Sequence, residues 1–133
     1  MLRCIPFSLL SPAQKLEFLG SLISGAPLSV VKVKAMQLLY ELDQTNNVEL
    51  NFRWIRLGLK ARWEPSVVAA LDLVSRVGRM KFVRPLYRDL YQWTEVRERA
   101  VNTFRQNKEK MMAVAVRGVM KDLHLQEEGD NQN

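Results

Sequence analysis

Apolar positions recur at helical spacing along almost the whole chain, and no run alternates in the way a half-buried strand does. Ser11-Pro12-Ala13-Gln14 has the form of a capping box with proline at the first helical position, and Leu16, Leu19 and Ile23 then share one face. Gly25-Ala26-Pro27 closes that helix. A second helix is expected over about 29–42, with Val31, Ala35, Leu38 and Leu42 inward. Asp43-Gln44-Thr45-Asn46 reads as a turn, and Asn46 with Glu49 as a second capping box. The third helix, about 47–60, carries two apolar rows. Leu50, Trp54 and Leu57 form one, and Val48, Phe52, Ile55 and Leu59 the other, which suits a helix packed on more than one side.

Glu64-Pro65 opens a fourth helix through Val67, Leu71 and Val74, stopped near Gly78. A fifth is expected to begin at or just after Pro85 and run to Trp93, because proline drives the residue before it out of the helical region. Thr94 caps a sixth, with Val96, Ala100 and Phe104 inward, and a seventh covers about 113–125. The result is an all-α chain of about seven helices of roughly 9–17 residues with short connections, as in antiparallel helix pairs. Stacking such pairs makes a small solenoid, and an up-and-down bundle is the rival; the two-sided third helix leans towards stacking. Residues 1–9 read as an irregular lead-in and 126–133 as a disordered polar and acidic tail.

Composition narrows the chemistry. The 133 residues suffice for one domain with a core of its own. One cysteine, Cys4, gives no internal disulfide and no multi-cysteine zinc site. One histidine, His124, excludes an H-E-x-x-H motif and two-histidine catalysis, so no metal site is expected in this chain. His124 sits near the end of the last helix, where a charge that complements the helix dipole is the expected role. Twenty Lys and Arg against fourteen Asp and Glu give +6, which admits acidic partners, nucleic acid or anionic ligands without choosing among them. The apolar start is broken by Pro6 and Pro12 and lacks a cleavage site, so no export signal is read, and a reducing, cytoplasmic location is the default. No recognition-helix, RNP or zinc-finger signature points to nucleic acid, and no stretch approaches the roughly 20 apolar residues of a membrane span.

Two groups of cations remain. In Gly78-Arg79-Met80-Lys81-Phe82-Val83-Arg84-Pro85 the residues before the proline are expected to be extended. Arg79 and Lys81 then point the same way while Met80 and Phe82 anchor the other side, and a fork beside a point charge makes an anion receptor. From the residues alone, an ordinary solvated basic loop is the favoured reading. Arg53, Arg56 and Lys60 form a row along the third helix. A solvated face is again favoured, with a docking surface for an acidic partner or for phosphates as the functional alternative. A free-standing helical module that binds an acidic protein or RNA through this row is the alternative function.

Two stretches carry a resemblance. Asn46-Asn47-Val48-Glu49-Leu50-Asn51-Phe52-Arg53-Trp54-Ile55-Arg56-Leu57 and Gly78-Arg79-Met80-Lys81-Phe82-Val83-Arg84-Pro85-Leu86-Tyr87 resemble the C-terminal domain of the leukotriene A4 hydrolase and aminopeptidase B family of zinc aminopeptidases, and more the aminopeptidase B-like members. Ser24-Gly25-Ala26-Pro27-Leu28 and Met120-Lys121-Asp122-Leu123 also fit, so the similarity covers about 10–125. The resemblance implies an armadillo-like, right-handed α-α superhelix that follows a zinc peptidase domain in the same polypeptide and closes one side of its substrate cleft. It implies that Arg79 and Lys81 bind the substrate's carboxylate, which reverses the preference for a bare basic loop. Zinc belongs to the peptidase domain and catalysis is not expected of this chain.

Overall fold

The computed structural model describes residues 7–42 and 45–125. The first six residues with Cys4, residues 43–44 of the expected turn, and the tail 126–133 lie outside the described residues. Seven α-helices are present and no strand among the described residues: α1 (Pro12–Ser24), α2 (Val30–Tyr40), α3 (Val48–Lys60), α4 (Glu64–Arg76), α5 (Met80–Gln92), α6 (Arg97–Asn107) and α7 (Ala113–Asp122). Short 3₁₀ turns occupy Phe7–Leu9, Thr94–Val96 and Lys108–Lys110. The all-α class stands. The chain divides into two compact units between Ser66 and Val67.

In the first unit, the α1 capping box forms as its residues require: Gln14 N donates to Ser11 Oγ at 3.2 Å, and Ser11 N to Gln14 Oε1 at 2.9 Å. The cap of α3 falls one residue later than expected. Asn47 Oδ1 accepts from Glu49 N and Leu50 N, at 3.0 and 3.2 Å, so Glu49 sits one place too early to close a reciprocal box. Helices α1 and α2 both pack on α3. The core gathers Phe7, Leu19, Val33, Leu42, Leu50, Trp54, Leu57, Ala61 and Trp63. Both apolar rows of α3 are buried apart from Val48, as a helix covered on two sides demands.

Helix α2 turns a different face inward from the expected one. Val33 is buried, while Val31 and Leu38 are 77 % and 81 % exposed and Ala35 is exposed too. The helix is apolar nearly all round, so Val33, Met36 and Tyr40 offer a stripe of the same period as Val31, Ala35 and Leu38. An aromatic group settles the choice: the Tyr40 ring stacks on Phe7 at 4.6 Å and meets Phe18 edge-on at 6.3 Å.

In the second unit, α5 packs on α6 and α7; its Phe82, Val83, Leu86, Tyr87 and Leu90 are buried, and Tyr87 meets Phe104 edge-on at 6.0 Å. Val96, Ala100 and Phe104 point inward as expected, although Thr94 opens a 3₁₀ turn rather than capping α6. The larger departure is the start of α5. The helix begins at Met80 and runs through Pro85, so the extended segment expected before the proline does not exist. A proline inside a helix costs about 3 kcal/mol, while burying a side chain such as Phe82 or Val83 gains about 1.5–3 kcal/mol each. The pair, 3 % and 1 % exposed, outweighs the proline.

Helices α3 and α7 end in the same device. Arg62 and His124 have φ of 61° and 54°. Trp63 N donates to Gly58 O and Arg62 N to Leu59 O; Leu125 N donates to Met120 O and His124 N to Lys121 O. These are the paired bonds of a Schellman motif, with a non-glycine residue in the left-handed position.

Candidate functional site

The two cations singled out in the sequence sit at the N-terminal end of α5. Arg79 is its N-cap, with extended dihedrals (φ −71°, ψ 125°), and no side chain caps the helix. Phe82 N and Val83 N both donate to the Arg79 carbonyl at 3.0 Å, so the first turn closes on backbone alone. The N–H groups of Met80 and Lys81 come before the first intrahelical donor, and such groups point out along the axis at the positive end of the helix dipole. Arg79 and Lys81 are both exposed, and Lys81 Nζ lies 5.5 Å from the centroid of the Phe82 ring. Alternation along a strand does not bring the pair together, because Lys81 is helical. The helix end does.

Two cations of the row on α3 bond to α1. Arg53 Nη1 donates to the Leu16 carbonyl at 2.6 Å, and Lys60 Nζ donates to the carbonyls of Ile23 and Gly25. A Cβ on Gly20 would come 2.7 Å from Arg53 Nη1, so the bare glycine leaves room for the guanidinium against α1. Lys60 satisfies carbonyls at the C-terminal end of α1, where the helix leaves them without partners and a cation complements the dipole. Arg56 lies over the Phe52 ring at 5.7 Å. Two of the three cations therefore tether α1 to α3 rather than forming a solvated face.

Two further groups bring together residues that the sequence does not pair. Arg84 on α5 makes a forked ion pair with Asp122 on α7, Nε to Oδ2 at 2.9 Å and Nη2 to Oδ1 at 3.1 Å. Arg88 Nε lies 3.7 Å from the same Oδ1. The hydrogen bond from Arg84 to Asp122, and then their charge attraction, raise the Arg84 guanidinium above its ordinary value. The only sequence signal was a pair of Arg one helical turn apart on α5 and an acid four residues after Gly118 on α7; that these surfaces face each other is a tertiary fact. In the second group Tyr91 carries the Arg97 guanidinium 4.3 Å from its ring centroid, and the His124 imidazole stacks on it at 4.6 Å. His124 thus packs on an aromatic ring, in addition to lying at a helix C-terminus.

Among the described residues no three His, Cys, Asp or Glu side chains are arranged to hold a metal ion, and no helix is long and apolar enough to cross a membrane.

Residues 10–123 match the family described as leukotriene A4 hydrolase, C-terminal. The chain is 47 % identical over 116 residues to a leukotriene A-4 hydrolase of Xenopus laevis, covering 87 % of this chain and 19 % of that protein. It is 38 % identical over 116 residues to a leucine aminopeptidase 2 of Pyricularia oryzae, covering 86 % of this chain and 19 % of the relative. It is 42 % identical over 97 residues to a leukotriene A-4 hydrolase homolog of Botryotinia fuckeliana, covering 73 % and 15 %. The chain spans less than a fifth of the length of these curated relatives. With a helical fold and a family match over most of its length, the chain belongs to the leukotriene A4 hydrolase C-terminal domain family.

Proposed function

We infer that this chain serves as the non-catalytic C-terminal helical domain of a zinc metalloaminopeptidase that removes N-terminal residues from peptides. The domain closes one side of the substrate cleft, and Arg79 with Lys81 anchors the peptide's C-terminal carboxylate. The observation that carries the reading is the head of α5, where two exposed cations flank a helix N-terminus that no side chain caps. A carboxylate there gains a guanidinium fork, an ammonium point charge and backbone N–H groups aligned with the dipole. Such a grip fixes the length and orientation of the substrate without joining the reaction.

In this reading the zinc belongs to a peptidase domain of the same polypeptide, where it activates water. The partners are that domain and the peptide, with neither nucleic acid nor membrane, and a cytoplasmic location belongs to the same proposal. The tethering of Arg53 and Lys60 to α1 carbonyls speaks against a free basic face for RNA or an acidic protein.

The test is Arg79→Ala in the full-length polypeptide, with a short peptide assayed as free acid and as C-terminal amide. A charge-assisted hydrogen bond contributes about 1.5–3 kcal/mol, so kcat/KM on the free acid is expected to fall about ten- to a hundredfold. The amide should change little. An equal fall on both substrates would remove carboxylate anchoring from the reading.

A further inference from the structure

Pro85 lies inside α5 and has no N–H to donate to the Lys81 carbonyl. The turn that carries Arg79 and Lys81 is therefore joined to the rest of the helix by one backbone hydrogen bond fewer than a regular helix has. Arg84 and Arg88 stand on the two sides of this break, and both reach the same carboxylate on α7. Arg84 grips Asp122 with two bonds, at 2.9 and 3.1 Å, and Arg88 Nε approaches Oδ1 to 3.7 Å. Arg88 Nε also lies 3.4 Å from the Arg84 carbonyl oxygen, which closes the loop across the proline on the α5 side. The Asp122 side chain is 6 % exposed, so the carboxylate is shielded from water that would weaken the grip. Gly118, one turn earlier on α7, makes the approach possible: a Cβ there would lie 2.9 Å from Arg84 Nε and 3.0 Å from its Cδ.

A bridge that served only to hold α5 on α7 would need one arginine. The second, on the far side of the proline, is what makes this arrangement a splint. We propose that Asp122 is a positioning residue that staples α5 across Pro85 and so fixes the first turn, with Arg79 and Lys81, in register for anion capture. The proposal rests on the carboxylate-anchoring reading above.

The experiment compares wild type, Arg79→Ala, Asp122→Asn, Arg88→Gln and the double variant Asp122→Asn/Pro85→Ala in the full-length polypeptide, on the free-acid and amidated forms of one peptide. Asp122→Asn is expected to raise KM for the free acid on the order of tenfold, with kcat and the amide kinetics unmoved, because a displaced binding group acts on substrate capture alone. Adding Pro85→Ala returns the missing N–H to the Lys81 carbonyl and should recover part of that loss. Arg88 is exposed, so Arg88→Gln tests the far arm without risk to folding, and a smaller rise in the free-acid KM is expected. A domain merely loosened would affect both substrates alike, and that result overturns the proposal. If Arg79→Ala discriminates between the substrates and neither Asp122→Asn nor Arg88→Gln does, the positioning role alone is overturned. If Arg79→Ala does not discriminate either, the anchoring reading falls and the positioning role falls with it.

Discussion

Gly58, in the middle of α3, is expected to resist the one substitution that helix propensity recommends. It is buried, and a Cβ at this position would overlap Ser66 Oγ outright, while lying 2.8 Å from Ser66 Cβ and 3.3 Å from Trp63 Cε3. Rotating the Ser66 side chain relieves the clash with Oγ but not the one with Cβ, which is fixed to the backbone at the start of α4. Ser66 is itself 3 % exposed, so it has little room to retreat. Alanine in a helix interior gains about 0.8–1.0 kcal/mol over glycine. Overpacking a tight core costs about 1–3 kcal/mol, and the contact with Ser66 Cβ puts this site towards the upper end. Gly58→Ala should therefore lower stability by about 1–2 kcal/mol, read by urea unfolding at constant m, with a fall in Tm of roughly 3–8 °C. In a Ser66→Gly background, which removes both clashing atoms, the same alanine should become neutral or stabilising. A Gly58→Ala chain more stable than wild type, or one whose effect is the same in both backgrounds, would refute the close approach of α3 to Ser66.

Tyr87 gives a prediction in pH. Its hydroxyl is buried and has no hydrogen bond within reach, the Asn107 amide donating to Ser75 Oγ and the Thr103 carbonyl; burial pushes the phenol up to about 12, more than the nearby Asn107 amide lowers it. Below about pH 10 folded and unfolded chains both keep this proton, so stability is unaffected; between about pH 10 and 12 the unfolded chain ionises first and stability falls, by about 2–3 kcal/mol in total. Tyrosinate absorbance should show a step near pH 12 that Tyr87→Phe removes without destabilising the fold at neutral pH; loss of a step near pH 10 instead in that variant would contradict the burial. Glu41 ends α2 at φ 48° and is exposed, so Glu41→Gly should raise stability by about 1 kcal/mol in thermal unfolding, and no gain would argue against a left-handed cap there.

Much of the fold is legible along the chain because its signals are local. The capping residues Ser11 and Gln14, the double apolar rows of α3 and the inward set Val96, Ala100 and Phe104 each depend on neighbours within a turn or two, and each forms as written apart from the exposed Val48. The two stretches that carry the family resemblance are likewise contiguous. What the sequence by itself determined is therefore the helical class, the family and the identity of the two candidate cations, Arg79 and Lys81, but not the conformation that carries them.

Tertiary structure decided whatever required a comparison of burial energies between distant segments. Helix α2 offers two stripes of one period, and only the Phe7, Phe18 and Tyr40 rings choose between them. The rule that proline expels its predecessor from a helix is a local preference, and the burial of Phe82 and Val83 exceeds it, which moves Lys81 from a strand-like segment onto the first turn of α5. Arg53 and Lys60 look like solvated charges until α1 brings its carbonyls to them. Arg84 and Asp122 are 38 residues apart in sequence. No periodicity links such residues; the packing of α5 on α7 sets that contact, because a charge can be satisfied by any partner that folding delivers.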